Sequence, residues 1–245
     1  MKFIGLAKDE FIAKHPRLYR YLSIERALEL FDTNRIQLRN PAEWKDPFEK
    51  FYLKKTFVIK DKEHELPIKN QMLACSFSTT ISEASWQMYT PEHDGIRITF
   101  DTKSFLNSLT SINENSNLYI GPVEYIRTLD FYSLGKLANP LKREIIDKKI
   151  GKAQLQLFLK KRLAFEYEQE VRLMQISSSK LSTSSVEIEL LKCALEVQLH
   201  PLLGKNHAAI IKKYMTDTYT IRTTQSRLYK ETADRPIVLL SKENR

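Results

Sequence analysis

Residues that could do chemistry are concentrated in four short segments, at places where the chain is expected to turn. These segments are residues 18–21 (L-Y-R-Y), 40–49 (N-P-A-E-W-K-D-P-F-E), 75–80 (C-S-F-S-T-T) with 86–95 behind it, and 166–172 (E-Y-E-Q-E-V-R). The last segment holds carboxylates at alternate positions, and paired carboxylates can serve as general acid and base. The same glutamates could instead form the charged outer face of an exposed strand, with cross-strand ion pairs.

The motifs of several large enzyme classes are missing from the sequence. Only six glycines occur in 245 residues, and they are widely spaced, so there is no G-x-G-x-x-G, no G-x-x-x-x-G-K-[ST] and no G-x-S-x-G. Dinucleotide-binding Rossmann enzymes, P-loop NTPases and α/β-hydrolases are therefore excluded as first interpretations. Cys75 and Cys193 lie far apart, and the five histidines form no H-E-x-x-H. We expect two buried thiols and no metal site.

The chain is basic, with 39 lysines and arginines against 30 acidic residues and a formal net charge of +9. Such a surplus attracts nucleic acid through phosphate contacts, yet the basic residues are scattered, which also suits general solubility. No run of about 18 apolar residues occurs, so we expect no membrane span. The first residues lack the pattern of a signal peptide and cysteines are few, which favours a cytoplasmic location.

Hydrophobic periodicity indicates the elements that must position these segments. Alternation of apolar and polar residues predicts strands at residues 17–22 and 35–39, and we expect further strands at 72–78, 96–101 and 170–176. Ser23 offers the N-cap of a helix, and helical spacing predicts further helices at 82–89 and 141–166. Because strands and helices follow each other without regular βαβ alternation, we expect an α+β fold. We also expect one domain over residues 1–245, with its core at about 17–230.

Taken in order, the four segments resemble the family known as domain of unknown function 2971. That family runs Y-[KR]-Y, N-D-P-F-[DE], S-F-S, W-x-x-Y before a glycine, and E-x-E-x-R. The matching stretches here are Y-R-Y at 19–21, D-P-F-E at 46–49, S-F-S at 76–78, W-Q-M-Y at 86–89 and E-Q-E-V-R at 168–172. The resemblance covers residues 18–229. It departs from the family pattern at Lys45, where asparagine is usual.

This family in turn resembles a divergent branch of the ADP-ribosyltransferase superfamily. In the superfamily an early strand carries an aromatic residue followed by His or Arg, a middle strand carries hydroxyl groups, and a late strand carries Glu, often as E-x-E. Here Y-R at 19–20, S-F-S at 76–78 and E-Q-E at 168–170 stand in that order. The resemblance implies split antiparallel or mixed β-sheets with flanking helices. It also implies that NAD lies in the cleft between the two halves, without a glycine-rich loop.

The resemblance also implies roles for individual residues. Breaking the bond between nicotinamide and ribose leaves positive charge on the sugar, which a neighbouring carboxylate stabilises. Glu170 is expected to contact the ribose and the developing cation, and Glu168, on the same strand face, to orient the nucleophile or act as its base. Arg20 would hold a ribose hydroxyl or the pyrophosphate. The remaining residues predicted to contact substrate are Tyr19, Tyr21, Ser76, Ser78, Trp86 and Tyr89.

The prediction is therefore an ADP-ribosyltransferase-like enzyme that uses NAD as its substrate, or an NAD glycohydrolase. The resemblance suggests a toxin or a phage-defence effector, with nucleic acid or protein as acceptor and an antitoxin or defence-system component as partner. Two alternatives stay open. The chain could be a non-catalytic nucleic-acid-binding module that combines phosphate contacts with base stacking. It could also be a degenerate scaffold, in which Arg20 and Glu170 would lie far apart.

Overall fold

The computed structural model describes residues 1–112 and 117–229, so the predicted domain extends beyond the described residues at 230–245. The strands are β1 (Lys2–Phe3), β2 (Arg17–Ser23), β3 (Arg35–Arg39), β4 (Phe57–Ile59), β5 (Lys62–His64), β6 (Met72–Ser78), β7 (Gly95–Asp101), β8 (Leu118–Pro122), β9 (Glu124–Ile126), β10 (Lys160–Arg162), β11 (Glu170–Ile176), β12 (Thr183–Glu187), β13 (Ala194–Leu199) and β14 (Thr223–Gln225). The helices are α1 (Lys8–Lys14), α2 (Ile24–Thr33), α3 (Glu83–Tyr89), α4 (Thr102–Ile112), α5 (Ala138–Ile146), α6 (Lys152–Leu157), α7 (Leu190–Cys193) and α8 (Lys205–Tyr219). Short 3₁₀ segments lie at Pro41–Glu43, Tyr52–Lys54, Pro67–Asn70, Thr128–Tyr132, Gly135–Leu137 and Leu163–Glu168.

Most of the strands join one mixed sheet in the order β1-β8-β11-β6-β2-β7-β13-β14, with β3 also beside β6 and β12 beside β3. β6 and β11 pair antiparallel along their full length, from Ser78 opposite Glu170 to Met72 opposite Ile176. β1 and β8 run parallel, as do β13 and β14. The α+β class, with a mixed sheet and flanking helices, is therefore confirmed.

The sheet divides at β6. On the edge of β6 away from β11, β2 pairs through Tyr19 opposite Ser78, whereas β3 pairs through Arg39 opposite Ala74. Within the described residues, no strand pairs with that edge between these two points. β2 and β3 therefore diverge and leave a gap beside residues 75–77.

Helices cover both faces of the sheet, and the side chains of β6 therefore alternate between two cores. Phe77 packs on one face with residues of α1, α2, α4 and α8. Met72 and Ala74 pack on the other face with residues of α5 and α6. By the same alternation Ser76 and Ser78 lie on this second face, where Ser76 contacts Glu170.

Two helices that lead into the site begin at serine caps. The Ser23 hydroxyl accepts a hydrogen bond from Arg26 N (3.3 Å) at the start of α2, and Ser82 accepts from Ser85 N (3.1 Å) at the start of α3. A serine oxygen at this position satisfies a backbone donor that the first helical turn leaves free. The Ser23 cap, which the sequence predicted, fixes where β2 ends, and the Ser82 cap fixes where α3 starts.

The helix predicted over residues 141–166 is wrong. The chain there forms α5, α6, β10 and a 3₁₀ segment. Lys148 has a positive φ of 51°, which a continuous helix does not allow. The Glu144 carboxylate accepts hydrogen bonds from Ala153 N (2.9 Å) and Gln154 N (3.0 Å), so it caps the start of α6. Breaking the helix in this way frees β10 to pair with β9.

Two further observations concern membrane-spanning helices and metal sites. None of the helices in the described part of the chain is long and apolar enough to cross a membrane. In the same residues, no group of three or more His, Cys, Asp or Glu side chains is arranged to hold a metal ion.

Candidate active site

A pocket of about 510 Å³ opens at the gap between β2 and β3. Its volume lies in the range of small-molecule sites. Strands β2, β3 and β6 and helix α2 supply most of its wall, and the residues just before and at the start of β11 supply another part. Predicted site residues that line it are Tyr19, Arg20, Tyr21, Ser76, Ser78, Tyr89, Glu168 and Glu170.

Glu170 begins β11 and is only 4% exposed. Its Oε1 accepts hydrogen bonds from Ser76 and from Arg172 Nε (2.7 Å), and its Oε2 accepts from Lys161 Nζ (3.0 Å) and Arg172 Nη2 (3.1 Å). Burial alone would raise the pKa of Glu170, but Arg172 and Lys161 outweigh burial and lower this pKa to about 2. Glu170 is therefore held as a carboxylate, with both oxygens engaged.

The sequence predicted Glu168 on the same strand face as Glu170, but Glu168 lies in the 3₁₀ segment Leu163–Glu168, before β11 begins. Gln169 has a left-handed backbone with φ of 43°, so the chain turns between the two glutamates. Glu168 Oε2 accepts hydrogen bonds from Lys161 Nζ (2.7 Å) and Tyr89 Oη (2.9 Å). Its Oε1 is buried and has no donor among the described residues. Burial raises the pKa of Glu168, and Lys161 opposes this rise.

Residues outside the predicted site hold these two glutamates in place. Arg172 is fully buried; its Nη1 donates to the Phe158 carbonyl (2.7 Å), its Nη2 donates to Glu49, and its guanidinium lies 4.5 Å from the ring centre of Trp44. Lys161 Nζ lies 3.2 Å from Glu49 Oε1. The cluster therefore contains three carboxylates and two cations. Glu49 and Arg172 end two of the four sequence segments, which is a signal for them, whereas no sequence pattern indicates Lys161.

Arg20 spans the gap in the sheet. Its Nη1 donates to Cys75 Sγ (3.4 Å), its Nη2 donates to the Gln37 carbonyl (3.5 Å), and its guanidinium lies 5.2 Å from the ring centre of Phe77. The contact with the Gln37 carbonyl is longer than an ordinary N–H···O hydrogen bond, and the sulfur of Cys75 is a weak acceptor. Because Arg20 forms no ion pair with any described residue and is only half-buried, its guanidinium keeps donors for an anion.

Arg20 and Glu170 line the same pocket but reach it from opposite faces of β6. Arg20 contacts Cys75 and Phe77, which belong to the first core. Glu170 contacts Ser76, which points to the second face. The gap beside β6 joins the two faces, so these residues share a crevice without touching each other.

The pocket has an arginine side, made of Arg20, Arg26, Arg35 and Arg39. Arg26 lies 3.7 Å from Glu29, and Arg35 forms an ion pair with Glu187, so both are partly neutralised. Arg39 is exposed and forms no ion pair with a described residue. Among the described residues, therefore, Arg20 and Arg39 have no carboxylate partner, whereas Arg26 and Arg35 do.

The aromatic residues divide between the pocket wall and the layer behind it. Trp86 is 1% exposed and packs edge-on against Tyr21 (4.9 Å between ring centres) and His200 (5.1 Å). The sequence predicted that Trp86 contacts the substrate. In the structure its side chain lies on the buried side of α3, so it does not line the pocket. Tyr89 is 42% exposed and stacks with Tyr21 at 6.3 Å.

The two serines of β6 have different partners. Ser76 donates to the Glu170 carboxylate. The Ser78 hydroxyl lies 2.8 Å from the carbonyl oxygens of Thr80 and Glu168, so it ties β6 to the turn that precedes β11. Ser78 thus fixes backbone, while Ser76 fixes a carboxylate.

The family model described as Protein of unknown function (DUF2971) matches residues 85–173. This match supports the family resemblance. The matched stretch contains both site glutamates together with Lys161 and Arg172, whereas it begins after Arg20 and after β6. Neither a curated protein nor a solved structure gives a significant match.

Proposed function

We propose that this protein cleaves the bond between nicotinamide and ribose in NAD and transfers ADP-ribose to an acceptor, as an ADP-ribosyltransferase-like enzyme. Water as the acceptor would make it an NAD glycohydrolase. The observation that carries the proposal is the charge distribution of the pocket. One side presents arginines, and the other presents buried carboxylates.

This bipolar pocket suits NAD because NAD is itself bipolar. Its pyrophosphate is anionic, and its nicotinamide ring carries a positive charge. Arg20 and Arg39, which have no carboxylate partner among the described residues, would hold the pyrophosphate. Glu168 and Glu170 would then lie beside the nicotinamide ribose at the other side. In this proposal the gap in the sheet would hold such a ligand without a glycine-rich loop.

The carboxylate side fits the charge that develops when the glycosidic bond breaks. The transition state has oxocarbenium character, and fixed negative charge beside it lowers the barrier. With every group ionised, Glu49, Glu168 and Glu170 exceed Lys161 and Arg172 by one negative charge. Glu170 remains ionised because its pKa is about 2, and Glu168 is the carboxylate with a buried oxygen that no described residue donates to.

The direct test is turnover of NAD labelled in its adenosine part, with protein, RNA, DNA or water as acceptor. We expect released nicotinamide, and label either on one acceptor or in free ADP-ribose. Glu168→Gln should abolish release, whereas Glu166→Gln, an exposed residue of the same 3₁₀ segment, should leave it unchanged. Absence of nicotinamide release with all of these acceptors would overturn the proposal.

A role as toxin or phage-defence effector in the cytoplasm, held in check by an antitoxin or a defence-system partner, belongs to the same proposal. NAD is needed throughout metabolism, so its uncontrolled consumption stops growth. Expression of the wild-type chain in growing bacteria should lower cellular NAD and arrest growth, while Glu168→Gln should not. Unimpaired growth with normal NAD would count against the effector role.

A non-catalytic nucleic-acid-binding module is the second candidate, and the arginine side of the pocket favours it. Arg39 and the exposed Arg26 could contact phosphates, and the exposed Tyr89 could stack on a base. This function predicts binding of single-stranded oligonucleotides that weakens steeply with salt and is indifferent to NAD. Competition between NAD and the oligonucleotide would instead place both in one pocket.

A further inference from the structure

Lys161 makes an unusual set of contacts for a buried lysine. Its side chain is 7% exposed, and its Nζ lies 2.7 Å from Glu168 Oε2, 3.0 Å from Glu170 Oε2 and 3.2 Å from Glu49 Oε1. An ammonium group has three N–H donors; Lys161 donates to Glu168 and Glu170 and forms an ion pair with Glu49. Burial alone would lower the pKa of Lys161, but the carboxylates raise it above its ordinary value, so the residue stays cationic.

These contacts decide which oxygen of Glu168 is available. Oε2 accepts from both Lys161 Nζ and Tyr89 Oη (2.9 Å), while Oε1 accepts nothing from the described residues. A carboxylate held through one oxygen has a fixed orientation, and its other oxygen, here the buried Oε1 without a described donor, is the one that would take a proton from an acceptor that reaches it. Lys161 does not itself line the pocket, so it acts on the site only through the carboxylates.

Lys161 also supplies much of the charge that keeps three carboxylates together. Among the described residues, the ionisable groups clustered around Glu168 are Lys161 from β10, Glu170 and Arg172 from β11, Glu49 from the segment before β4, Tyr89 from α3, Tyr125 from β9 and the neighbouring Tyr167. Within this set only Lys161 and Arg172 are cations. Arg172 contacts Glu49 and Glu170 but not Glu168. Without Lys161, Glu168 would face two carboxylates with no cation in contact, which favours its protonated form.

We propose that Lys161 is a positioning residue that holds Glu168 ionised and oriented as the proton acceptor of the incoming nucleophile. This inference rests on the proposed function. The acceptor O–H oxygen forms a bond to ribose C1′, the C1′–N bond to nicotinamide breaks, and its electron pair leaves with neutral nicotinamide. The acceptor proton moves to Glu168 Oε1. Atoms and charge balance without a metal or a redox partner.

The test is the pH dependence of kcat/KM for nicotinamide release by Lys161→Met. A base must be ionised, so activity falls as the pH drops through the pKa of Glu168. Removing Lys161 raises this pKa, and the acid limb should move to higher pH by about one unit or more. At pH values below the pKa of Glu168 in both proteins, kcat/KM of the variant is then about tenfold lower than that of wild type, with KM for NAD little changed.

Matched variants separate positioning from a merely structural effect. Lys160→Met removes the adjacent lysine, whose Nζ pairs with Glu124 (3.0 Å) and not with the cluster, and should leave the acid limb in place. Lys161→Arg keeps the charge and should restore the limb. A uniform loss of rate at all pH values, with the limb unmoved, would overturn the inference. If Lys161→Met does not fold, Lys161→Gln, which lacks the charge but keeps a donor, replaces it.

A second readout distinguishes failure of this inference from failure of the proposed function. In protein labelled with ¹³C at glutamate carboxyls, the Glu168 signal is assigned by its loss in Glu168→Gln. Its titration midpoint should rise in Lys161→Met, whether or not the protein cleaves NAD. An unchanged midpoint overturns the role of Lys161, whereas a raised midpoint in a protein without NAD turnover overturns only the proposed reaction.

Discussion

Replacing Glu170 by glutamine should destabilise the protein strongly at neutral pH. The carboxylate is 4% exposed and accepts hydrogen bonds from Ser76, Lys161 and Arg172. Its pKa is lowered from 4.5 to about 2, chiefly by Arg172 and then Lys161 acting against burial, and this shift corresponds to about 3 kcal/mol of folding free energy. Glutamine keeps the shape but removes the charge, so we expect the free energy of unfolding to fall by about this amount.

The pH dependence of the same quantity checks the reasoning. Because the pKa of Glu170 is lower in the folded than in the unfolded state, its stabilisation is present above about pH 4.5 and is lost as the pH falls towards 2. Urea unfolding at a series of pH values should therefore show wild type and Glu170→Gln converging in acid. Glu124→Gln is the control, because Glu124 is exposed and its ion pair among the described residues is with Lys160, and exposed pairs contribute less than about 1 kcal/mol. Equal stability of Glu170→Gln and Glu124→Gln at pH 7 would refute the account of the buried cluster.

Two smaller predictions follow from individual contacts. Tyr89→Phe removes a hydrogen bond that lowers the pKa of Glu168, so the acid limb of nicotinamide release should move to higher pH, and a limb at the wild-type position would contradict this. Gly95→Ala should lower the free energy of unfolding by about 1–3 kcal/mol, measured in urea, because its methyl group would lie 2.3 Å from the Thr90 side chain. Gly204→Ala meets nothing within 4 Å and should be nearly neutral, so similar losses for both variants would contradict the packing argument.

The strands that carry the candidate site could be predicted well from the sequence. The predicted bounds of β3, β6 and β11 agree with the structure, because β3 alternates apolar and polar residues and β6 and β11 are short runs rich in apolar residues. The Ser23 cap fixes the end of β2 in the same local way. Local patterns were sufficient where a local interaction decides the conformation.

The position of Glu168 shows where alternation fails. The spacing of Glu168 and Glu170 suggests one strand face, yet the left-handed Gln169 between them breaks the period. Glutamine is not a residue type typical of the left-handed conformation, so the sequence does not indicate a turn at this position. The structure still brings both carboxylates to one cluster, but through a turn.

Lys161 shows a second limit, which is set by contacts between distant parts of the chain. It reaches Glu49 and Glu168 because the helical pattern from residue 141 breaks and β10 pairs with β9. The break depends on the Glu144 carboxylate capping α6, an interaction that periodicity does not show. The division of the sheet beside β6 likewise follows from which strands pair, which no single segment specifies.

Calorimetric titration of NAD into the protein tests the central claim most directly, because the claim is that the gap between β2 and β3 is an NAD site. We expect saturable binding to wild type and at least about a tenfold loss of affinity in Arg20→Met, consistent with losing a charged hydrogen-bonding partner. Arg17→Met, which removes an exposed arginine of the same strand that pairs with Asp101 (2.6 Å), should bind like wild type. Absence of NAD binding, or equal affinity in the two variants, would contradict the account.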